Sequence, residues 1–195
     1  LEMMPDVQYI VASGSLPPGV PDNIFARMAV VAKKKNAKFI VDTSGEALRH
    51  AADEGVFLLK PNLGELGYLA GKDYLEQEEI VATAKQLIEN GKCDALVVSM
   101  GSAGALLVTK TIEKKITPPS VKIKSTVGAG DSMVGGIILA LSRGKSLEEA
   151  VQYGVACGTA ATMNPGTELC RLKDAEHLYE LISSRSDGAI VRSLD

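Results

Sequence analysis

The amino-acid sequence predicts an α/β protein with a mostly parallel sheet, helices on both faces of that sheet, and an antiparallel hairpin at one edge. Short apolar runs alternate with longer segments whose apolar residues recur with helical period, and this alternation is typical of repeated β-α units. Of the 195 residues, 46% are hydrophobic, 4% are aromatic and 19 are glycine. These proportions favour strands and helices packed through small and branched side chains over an aromatic-rich β-sandwich.

The predicted strands are short apolar runs that end in small polar or glycine residues. The last two runs are separated only by Lys110 and Thr111, so they predict an antiparallel hairpin at the sheet edge. The runs are Val7–Ala12, Lys38–Val41, Val56–Leu59, Ala95–Ser99, Ala103–Thr109 and Ile112–Ile116.

The segments between and after the strands carry apolar residues at helical spacing, as Ile24, Met28 and Val31 do. They predict helices over Asp22–Lys35, Gly45–Glu54, Leu63–Ala70, Gln77–Asn90, Gly130–Ser142, Leu147–Met163 and Lys173–Ser183. The sequence shows no internal repeat, so we expect one domain over residues 1–185 and a mobile polar tail over residues 186–195. Because a buried-looking strand follows Leu1 within a few residues, we expect this domain to be the carboxyl-terminal part of a longer fold.

Composition argues against several classes of function. The formal net charge of −3 gives no broad positive field, so the Lys33–Lys35 run is expected on an exposed helix end and no nucleic-acid partner is expected. No apolar run approaches the roughly 18 residues that span a bilayer, so no membrane partner is expected either. Cys93, Cys157 and Cys170 are odd in number and include no Cys-x-x-Cys pair, which favours free thiols and a cytoplasmic location.

Four of the predicted strands are followed by small polar, glycine or charged residues. The carboxyl ends of parallel strands lie at one edge of a sheet, where helix amino termini converge and ligands bind. The sequence therefore predicts a crevice for an anionic ligand, lined by Ser13–Ser15, Asp42–Gly45, Lys60–Asn62 and Ser99–Gly101.

The most informative segment is Ser125–Ser132, which leaves an extended stretch and opens a helix. Gly128 and Gly130 allow backbone N–H groups to turn towards an anion at a helix amino terminus. Asp131 follows in the first turn, where a carboxylate can accept the proton of an attacking hydroxyl. The alternative, an Asp that only caps a helix after a glycine-rich turn, stays open on this segment alone.

This segment resembles the carboxyl-terminal signature of the PfkB, or ribokinase-like, carbohydrate kinases. Ser13–Gly19, Lys60–Asn62 and Asn164–Thr167 are similarly placed, so the resemblance runs from about Val7 to about Arg185. It implies ATP as the phosphoryl donor, Asp131 as the catalytic base, and Gly128, Ala129 and Gly130 as the anion hole.

Asn62 and Glu65 resemble the family's Asn-x-x-Glu element, which implies that they hold Mg²⁺ and its water shell near the nucleotide phosphates. Mg²⁺ keeps several waters and needs few protein carboxylates, so one glutamate is enough. The alternative is that Asn62 caps the helix and Glu65 interacts with the helix dipole.

The resemblance also implies a nucleotide site formed by Lys60, Asn62, Ser99, Gly101, Gly104, Val155 and Thr159. Each of these residues has a simpler explanation as well. Lys60 could be a solvated charge, and Gly101 and Gly104 could serve a hairpin turn. Val155 and Thr159 are four residues apart, which is also the spacing of core residues on one face of a helix.

A monovalent-cation site, for K⁺, is implied by positions that match related kinases: Ser125, Val127, Ala161, Asn164 and Gly166. Two nearby residues depart from the expected pattern. Glu168 stands where a basic residue is expected, and Pro165 replaces a polar one, so the preference for a particular cation is open.

The segment Asp42–Leu48, together with Ser125–Val127, is similar to the 6-phosphofructokinase branch of the family more than to the 1-phosphofructokinase or tagatose-6-phosphate kinase branches. The resemblance implies transfer of phosphate from ATP to the 1-hydroxyl of fructose 6-phosphate, with Ser15 and Asp131 contacting the sugar phosphate. It also implies a homodimer for the full-length protein. The alternatives are a related sugar-phosphate kinase, or a truncated nucleotide-binding module without turnover; a dinucleotide oxidoreductase is disfavoured by the glycine spacing.

Overall fold

The described residues form one six-stranded sheet, with four helices between its first four strands and three helices after its last strand. The computed structural model describes residues 7–188, with side chains as far as Arg185. The strands are β1 (Tyr9–Ser13), β2 (Lys38–Asp42), β3 (Val56–Leu59), β4 (Cys93–Ser99), β5 (Ala105–Thr109) and β6 (Glu113–Ile116). The helices are α1 (Ile24–Lys34), α2 (Gly45–Glu54), α3 (Leu63–Leu69), α4 (Glu79–Glu89), α5 (Ala129–Ser142), α6 (Leu147–Thr162) and α7 (Leu172–Gly188).

The described residues fall into two compact units. The first contains residues 7–100 and 106–114, and the second contains residues 101–105 and 115–188. The expectation of a single domain stays a prediction. Of the predicted tail, residues 186–188 are the end of α7, and residues 189–195 lie outside the described part of the chain.

The sheet is mostly parallel and its strands follow chain order. β1, β2, β3 and β4 pair in parallel, with Ile10 beside Phe39 and Leu58 beside Ala95. β5 and β6 are neighbours joined by residues 110–112, and a connection this short requires antiparallel strands. The predicted parallel sheet with an edge hairpin is therefore confirmed.

The core of the first unit lies against one face of this sheet. Phe39, Val41 and Leu96 pack with Leu48 of α2 and Ala84 of α4 in a single apolar cluster. The opposite face is covered as well, because Ile40, Leu58, Val97 and Leu107 are at most 1% exposed. Burial on both faces explains why these strands are continuous apolar runs without polar alternation.

The core of the second unit is a close packing of α5, α6 and α7. A Cβ atom on Gly154 would lie 2.5 Å from Ile137 Cγ1 and 2.8 Å from the Met133 carbonyl, so this residue allows α6 to approach α5 closely. Tyr153 and Tyr179 pack edge to face with ring centroids 5.3 Å apart, which joins α6 to α7.

The amino terminus of α6 is fixed by a capping box. Ser146 Oγ accepts from Glu149 N at 3.2 Å, and Glu149 Oε2 accepts from Ser146 N at 2.9 Å. Lys145 and Ser146 both donate hydrogen bonds to the Glu149 carboxylate, and these bonds lower the pKa of Glu149 to about 2.

The predicted element boundaries agree with the structure to within two residues, except at the end of α7. α7 continues to Gly188, five residues beyond its predicted end. β5 begins at Ala105, two residues after its predicted start, because Ala103 belongs to the short 3-10 turn Gly101–Ala103. Within residues 7–188 no helix is long and apolar enough to cross a membrane.

Candidate active site

The first unit brings the ends of β1 and β2 together. Gly14 N donates to the Asp42 carbonyl at 2.9 Å, and the buried Thr43 donates its Oγ1 proton to the Gly14 carbonyl at 2.8 Å. These two bonds fix the turn that carries Ser15, the predicted sugar-phosphate contact. Ser15 itself is exposed, as a ligand contact must be.

Lys60 directly follows β3 and is a buried cation. Its side chain is only 6% exposed, and its Nζ lies 3.0 Å from Asp42 Oδ1. A buried ammonium group is stable only when it is paired, so Asp42 is what allows a lysine at this position. The alternative of a solvated charge is therefore wrong, because the strand end is covered; the contact of Lys60 with a nucleotide stays a prediction.

Asn62 and Glu65 form the capping box of α3. Asn62 Oδ1 accepts from Glu65 N at 2.9 Å, and Glu65 Oε2 accepts from Asn62 N at 2.8 Å. The capping alternative is thus confirmed as the local structural role of this pair. One glutamate oxygen takes part in the cap, and a Mg²⁺ role for the same carboxylate stays a prediction.

Ser99 lies beside the Lys60–Asn62 segment. Ser99 N donates to the Pro61 carbonyl at 2.8 Å, and Asn62 and Ser99 form a parallel bridge. The structure therefore brings together predicted nucleotide residues at the carboxyl ends of β3 and β4. Among the side chains described, no three His, Cys, Asp or Glu group as a metal site.

The second unit contains the predicted anion hole at the start of α5. Gly128 is the N-cap residue and has φ of 75°, a left-handed conformation that favours glycine. Ala129, Gly130 and Asp131 are the first three residues of this 14-residue helix. Ala129 N donates to the Thr126 carbonyl at a long 3.4 Å. The first N–H groups of a helix have no carbonyl partner within the helix, so this turn can present donors to an anion.

Asp131 is exposed in the first turn of α5 and is not the N-cap residue. A carboxylate here interacts favourably with the helix dipole, and it is also within reach of a group held at the same amino terminus. The N-cap residue of α5 is Gly128, and both the catalytic role of Asp131 and the capping alternative stay predictions.

The predicted cation residues come together beside this turn. Ser125 Oγ donates to the Gly166 carbonyl at 2.6 Å, and Val127 N donates to Ser125 Oγ at 3.2 Å. Asn164 is 3% exposed, and its backbone N donates to the Ala161 carbonyl at 3.1 Å. The five residues are thus neighbours, and a K⁺ role for their carbonyls stays a prediction.

Glu168 departs from the expected basic residue, and the structure shows how its charge is balanced. Its Oε1 accepts from Arg171 Nε at 2.9 Å and from Arg171 Nη2 at 2.7 Å. Glu168 is therefore paired with Arg171 on the exposed surface, and the effect of the departure on cation preference stays open.

The remaining predicted nucleotide residues have structural explanations of their own. A Cβ on Gly104 would lie 2.0 Å from the Ile116 carbonyl, so packing alone requires glycine there. Gly101 has φ of 58° in the 3-10 turn. Val155 is buried at 4%, and Thr159 Oγ1 donates to the Val155 carbonyl at 2.7 Å, so the core alternative holds for Val155. Their contacts with a nucleotide stay predictions.

Sequence reasoning placed Asp42 and Thr43 at the predicted crevice but did not identify their partners, Lys60 and the Gly14 carbonyl. One signal was available: a lysine directly after a strand that is buried on both faces needs a carboxylate, and Asp42 ends the neighbouring strand.

Comparison with known proteins identifies the class. The family model described as pfkB family carbohydrate kinase matches residues 2–174, and the chain belongs to this family. The predicted resemblance is therefore confirmed, and the α/β sheet with its glycine-rich helix start is the fold of sugar kinases of this kind.

The relatives agree with the predicted branch. The chain is 43% identical over 175 residues to the ATP-dependent 6-phosphofructokinase isozyme 2 of Escherichia coli K12, covering 89% of this chain and 57% of that protein. It is 38% identical over 161 residues to the 1-phosphofructokinase of Bacillus subtilis, covering 82% and 53%. Its fold matches the crystal structure of E. coli phosphofructokinase-2 in complex with potassium with a TM-score of 0.86, covering 90% and 57% of the two chains. The chain thus spans a little over half the length of the curated relatives it matches.

Proposed function

We propose that this chain carries the nucleotide-binding and phosphoryl-transfer residues of an ATP-dependent 6-phosphofructokinase. The reaction converts fructose 6-phosphate and ATP into fructose 1,6-bisphosphate and ADP. The observation that carries the proposal is the Gly128–Asp131 turn at the start of α5, in a chain 43% identical to a 6-phosphofructokinase.

In this proposal Asp131 accepts the proton of the sugar 1-hydroxyl as that oxygen attacks the γ-phosphorus of ATP. The amides of Ala129 and Gly130 stabilise the charge that develops on the transferred phosphoryl group. Ser15, on the turn fixed by Thr43, binds the sugar phosphate. Lys60, Asn62 and Ser99 are the strand-end residues that hold the nucleotide.

Two ions belong to the same proposal. Mg²⁺, near Glu65, would bridge and neutralise the nucleotide phosphates, as in other phosphoryl-transfer enzymes. K⁺ would be held by the carbonyls beside Ser125 and Gly166; the E. coli relative has been crystallised in complex with potassium. A cytoplasmic location and self-association of the full-length protein complete the proposal, supported by the free thiols and by a tetrameric inhibited form of that relative.

The test is a chimera in which this chain replaces the matching carboxyl-terminal part of the E. coli isozyme 2. We expect fructose 6-phosphate-dependent ADP release, with tagatose 6-phosphate as a poorer acceptor. Asp131→Asn should lower turnover by roughly 10²-fold or more and leave ATP affinity nearly unchanged, which is the effect of losing a positioned base.

The matched control is Asp174→Asn. Asp174 is the third residue of α7, as Asp131 is the third residue of α5, so both changes remove the same charge from the same helix position. Equal turnover in both variants would remove Asp131 from the mechanism. A chimera that prefers fructose 1-phosphate would overturn the branch, and one that binds ATP without turnover would favour the binding-module alternative.

A further inference from the structure

Helix α3, which carries the predicted Mg²⁺ pair, has a small buried face. It is seven residues long, and of these residues only Leu66 and Gly67 are buried. Leu63 and Tyr68 are 41% and 40% exposed. A helix this short is marginal by itself, so its position depends on contacts with neighbouring elements.

Tyr68 makes such a contact with α2. Its hydroxyl donates to Glu46 Oε1, and Arg49 Nη2 donates to the other oxygen of the same carboxylate, Glu46 Oε2. Arg49 and Tyr68 together lower the pKa of Glu46 to about 2, so this carboxylate is ionised at neutral pH. A hydrogen bond from a hydroxyl to an ionised carboxylate is stronger than one between neutral groups.

Glu46 also has a simpler role within its own helix. It lies in the first turn of α2, where an acidic side chain interacts favourably with the helix dipole, and Arg49 is three residues further on. This role accounts for the pairing of Glu46 with Arg49. It does not account for Tyr68, which belongs to a different helix, so the Tyr68 hydroxyl links α3 to α2.

The segment after β3 is joined to the segment after β2 at two points. At the strand ends, the Lys60 ammonium lies 3.0 Å from Asp42 Oδ1. Further along both segments, the Tyr68 hydroxyl bonds the Glu46 carboxylate. The predicted Mg²⁺ pair lies between these two points in the sequence, so both ends of the stretch that carries it are attached to the neighbouring segment.

The second link is on the same face of α3 as the predicted Mg²⁺ residue. Glu65 and Tyr68 are three residues apart, and this spacing places two side chains on one face of a helix. Glu65 Oε2 accepts from Asn62 N at 2.8 Å, so a rotation of α3 would move this carboxylate together with its cap. The Tyr68 bond opposes such a rotation, because it attaches that face to α2.

We propose that Tyr68 and Glu46 are positioning residues for Mg²⁺ binding. The bond between them fixes the orientation of α3 and, with it, the position of the Glu65 carboxylate, while neither side chain touches the ion. The inference rests on the proposed function, because it takes Glu65 as the residue that holds Mg²⁺ and its water shell.

The test compares variants of residues 1–195 by calorimetric titration of ATP at a series of Mg²⁺ concentrations. Tyr68→Phe removes only the hydroxyl, so it should raise the Mg²⁺ concentration for half-maximal ATP binding several-fold, though less than Glu65→Gln does. ATP affinity at saturating Mg²⁺ and the denaturant midpoint should stay nearly the same, because the lost bond is exposed. The control Tyr74→Phe should superimpose on the parent, since Tyr74 is exposed and follows α3 in a loop.

A second variant shows whether Glu46 acts through Tyr68. Glu46→Ala should shift the Mg²⁺ requirement as Tyr68→Phe does, and the double variant should shift it no further, because both changes remove the same bond. Amide exchange over Leu63–Leu69 should become several-fold faster in all three variants.

The outcomes separate this inference from the proposed function. A shift for Glu65→Gln with none for Tyr68→Phe would overturn the inference and leave the proposed function in place. Unshifted titrations for both variants, or no ATP binding by the parent chain, would reject the proposed role of Glu65 and the inference with it. Additive shifts in the double variant, or a loss of ATP affinity at every Mg²⁺ concentration, would also overturn the inference, since they indicate independent or general structural effects.

Discussion

Lys60 and Asp42 were both placed at the predicted crevice from the sequence, but their pairing was not predicted. Lys60 was chosen because it follows a strand in a recognised segment, but its buried ammonium is held by Asp42 Oδ1 at 3.0 Å. Position along a strand could be predicted from apolar periodicity, whereas pairing across two strands depends on register, which periodicity does not give. The same limit explains why Thr43 was missed.

Glu65 allows a cap and a metal role to be tested separately. Glu65→Gln keeps an oxygen that can accept from Asn62 N, so α3 should unfold at nearly the same denaturant concentration. The Mg²⁺ concentration needed for half-maximal ATP binding should rise several-fold, because one of few charged groups near the ion is lost. Calorimetric titration of ATP at a series of Mg²⁺ concentrations measures this shift.

The control for Glu65→Gln is Glu149→Gln. Glu149 occupies the same position in the capping box of α6 and has no predicted metal role. It should leave the Mg²⁺ dependence unchanged. A Mg²⁺ titration of Glu65→Gln that superimposes on that of the parent would show that Glu65 only caps α3.

At the scale of helices and strands, the sequence predicted nearly all of the secondary structure. α2 and β3 have the predicted bounds, because the helical periodicity of α2 ends at the glycine that separates the two elements. α7 was predicted too short because its last residues are polar and lack a periodic face. A helix that has already formed extends at little cost, so these residues can continue it.

The close contact between α5 and α6 could not be read from helical periodicity. Gly154→Ala should destabilise the second unit by about 1–3 kcal/mol, the usual cost of overpacking, because the new methyl group would meet Ile137 and the Met133 carbonyl. Urea denaturation followed by circular dichroism measures the loss.

Gly135→Ala is the matched control for that change. Gly135 is a helical glycine of α5 that is exposed, and an added Cβ meets no atom within 4 Å. Removing this glycine should stabilise the helix by about 0.5–1 kcal/mol. If both variants were destabilised equally, helix packing at Gly154 would not be the cause.

At the scale of the whole molecule, the chain holds the predicted nucleotide residues but spans only 57% of its E. coli relative. We expect residues 1–195 to bind Mg-ATP more weakly than the chimera and to transfer no phosphate to fructose 6-phosphate at a useful rate. Phosphoryl transfer depends on holding the acceptor in line, and only Ser15 and Asp131 are available here to hold a sugar.

Calorimetry with ATP and a coupled ADP-release assay check this expectation, each with and without the amino-terminal part of the relative. Robust turnover by residues 1–195 alone would contradict it. The sugar-binding side is also where sequence reasoning had least to work with, since Ser15 was the one acceptor contact it offered besides Asp131.

The Tyr153–Tyr179 contact gives this protein a built-in optical probe. The chain has no tryptophan and five tyrosines, and Tyr68 and Tyr74 are 40% and 72% exposed. A packed ring pair, of which Tyr153 is buried and Tyr179 half-buried, gives a stronger near-ultraviolet dichroic signal than freely rotating exposed rings. The intensity near 280 nm should therefore report the docking of α7 on α6 without any label.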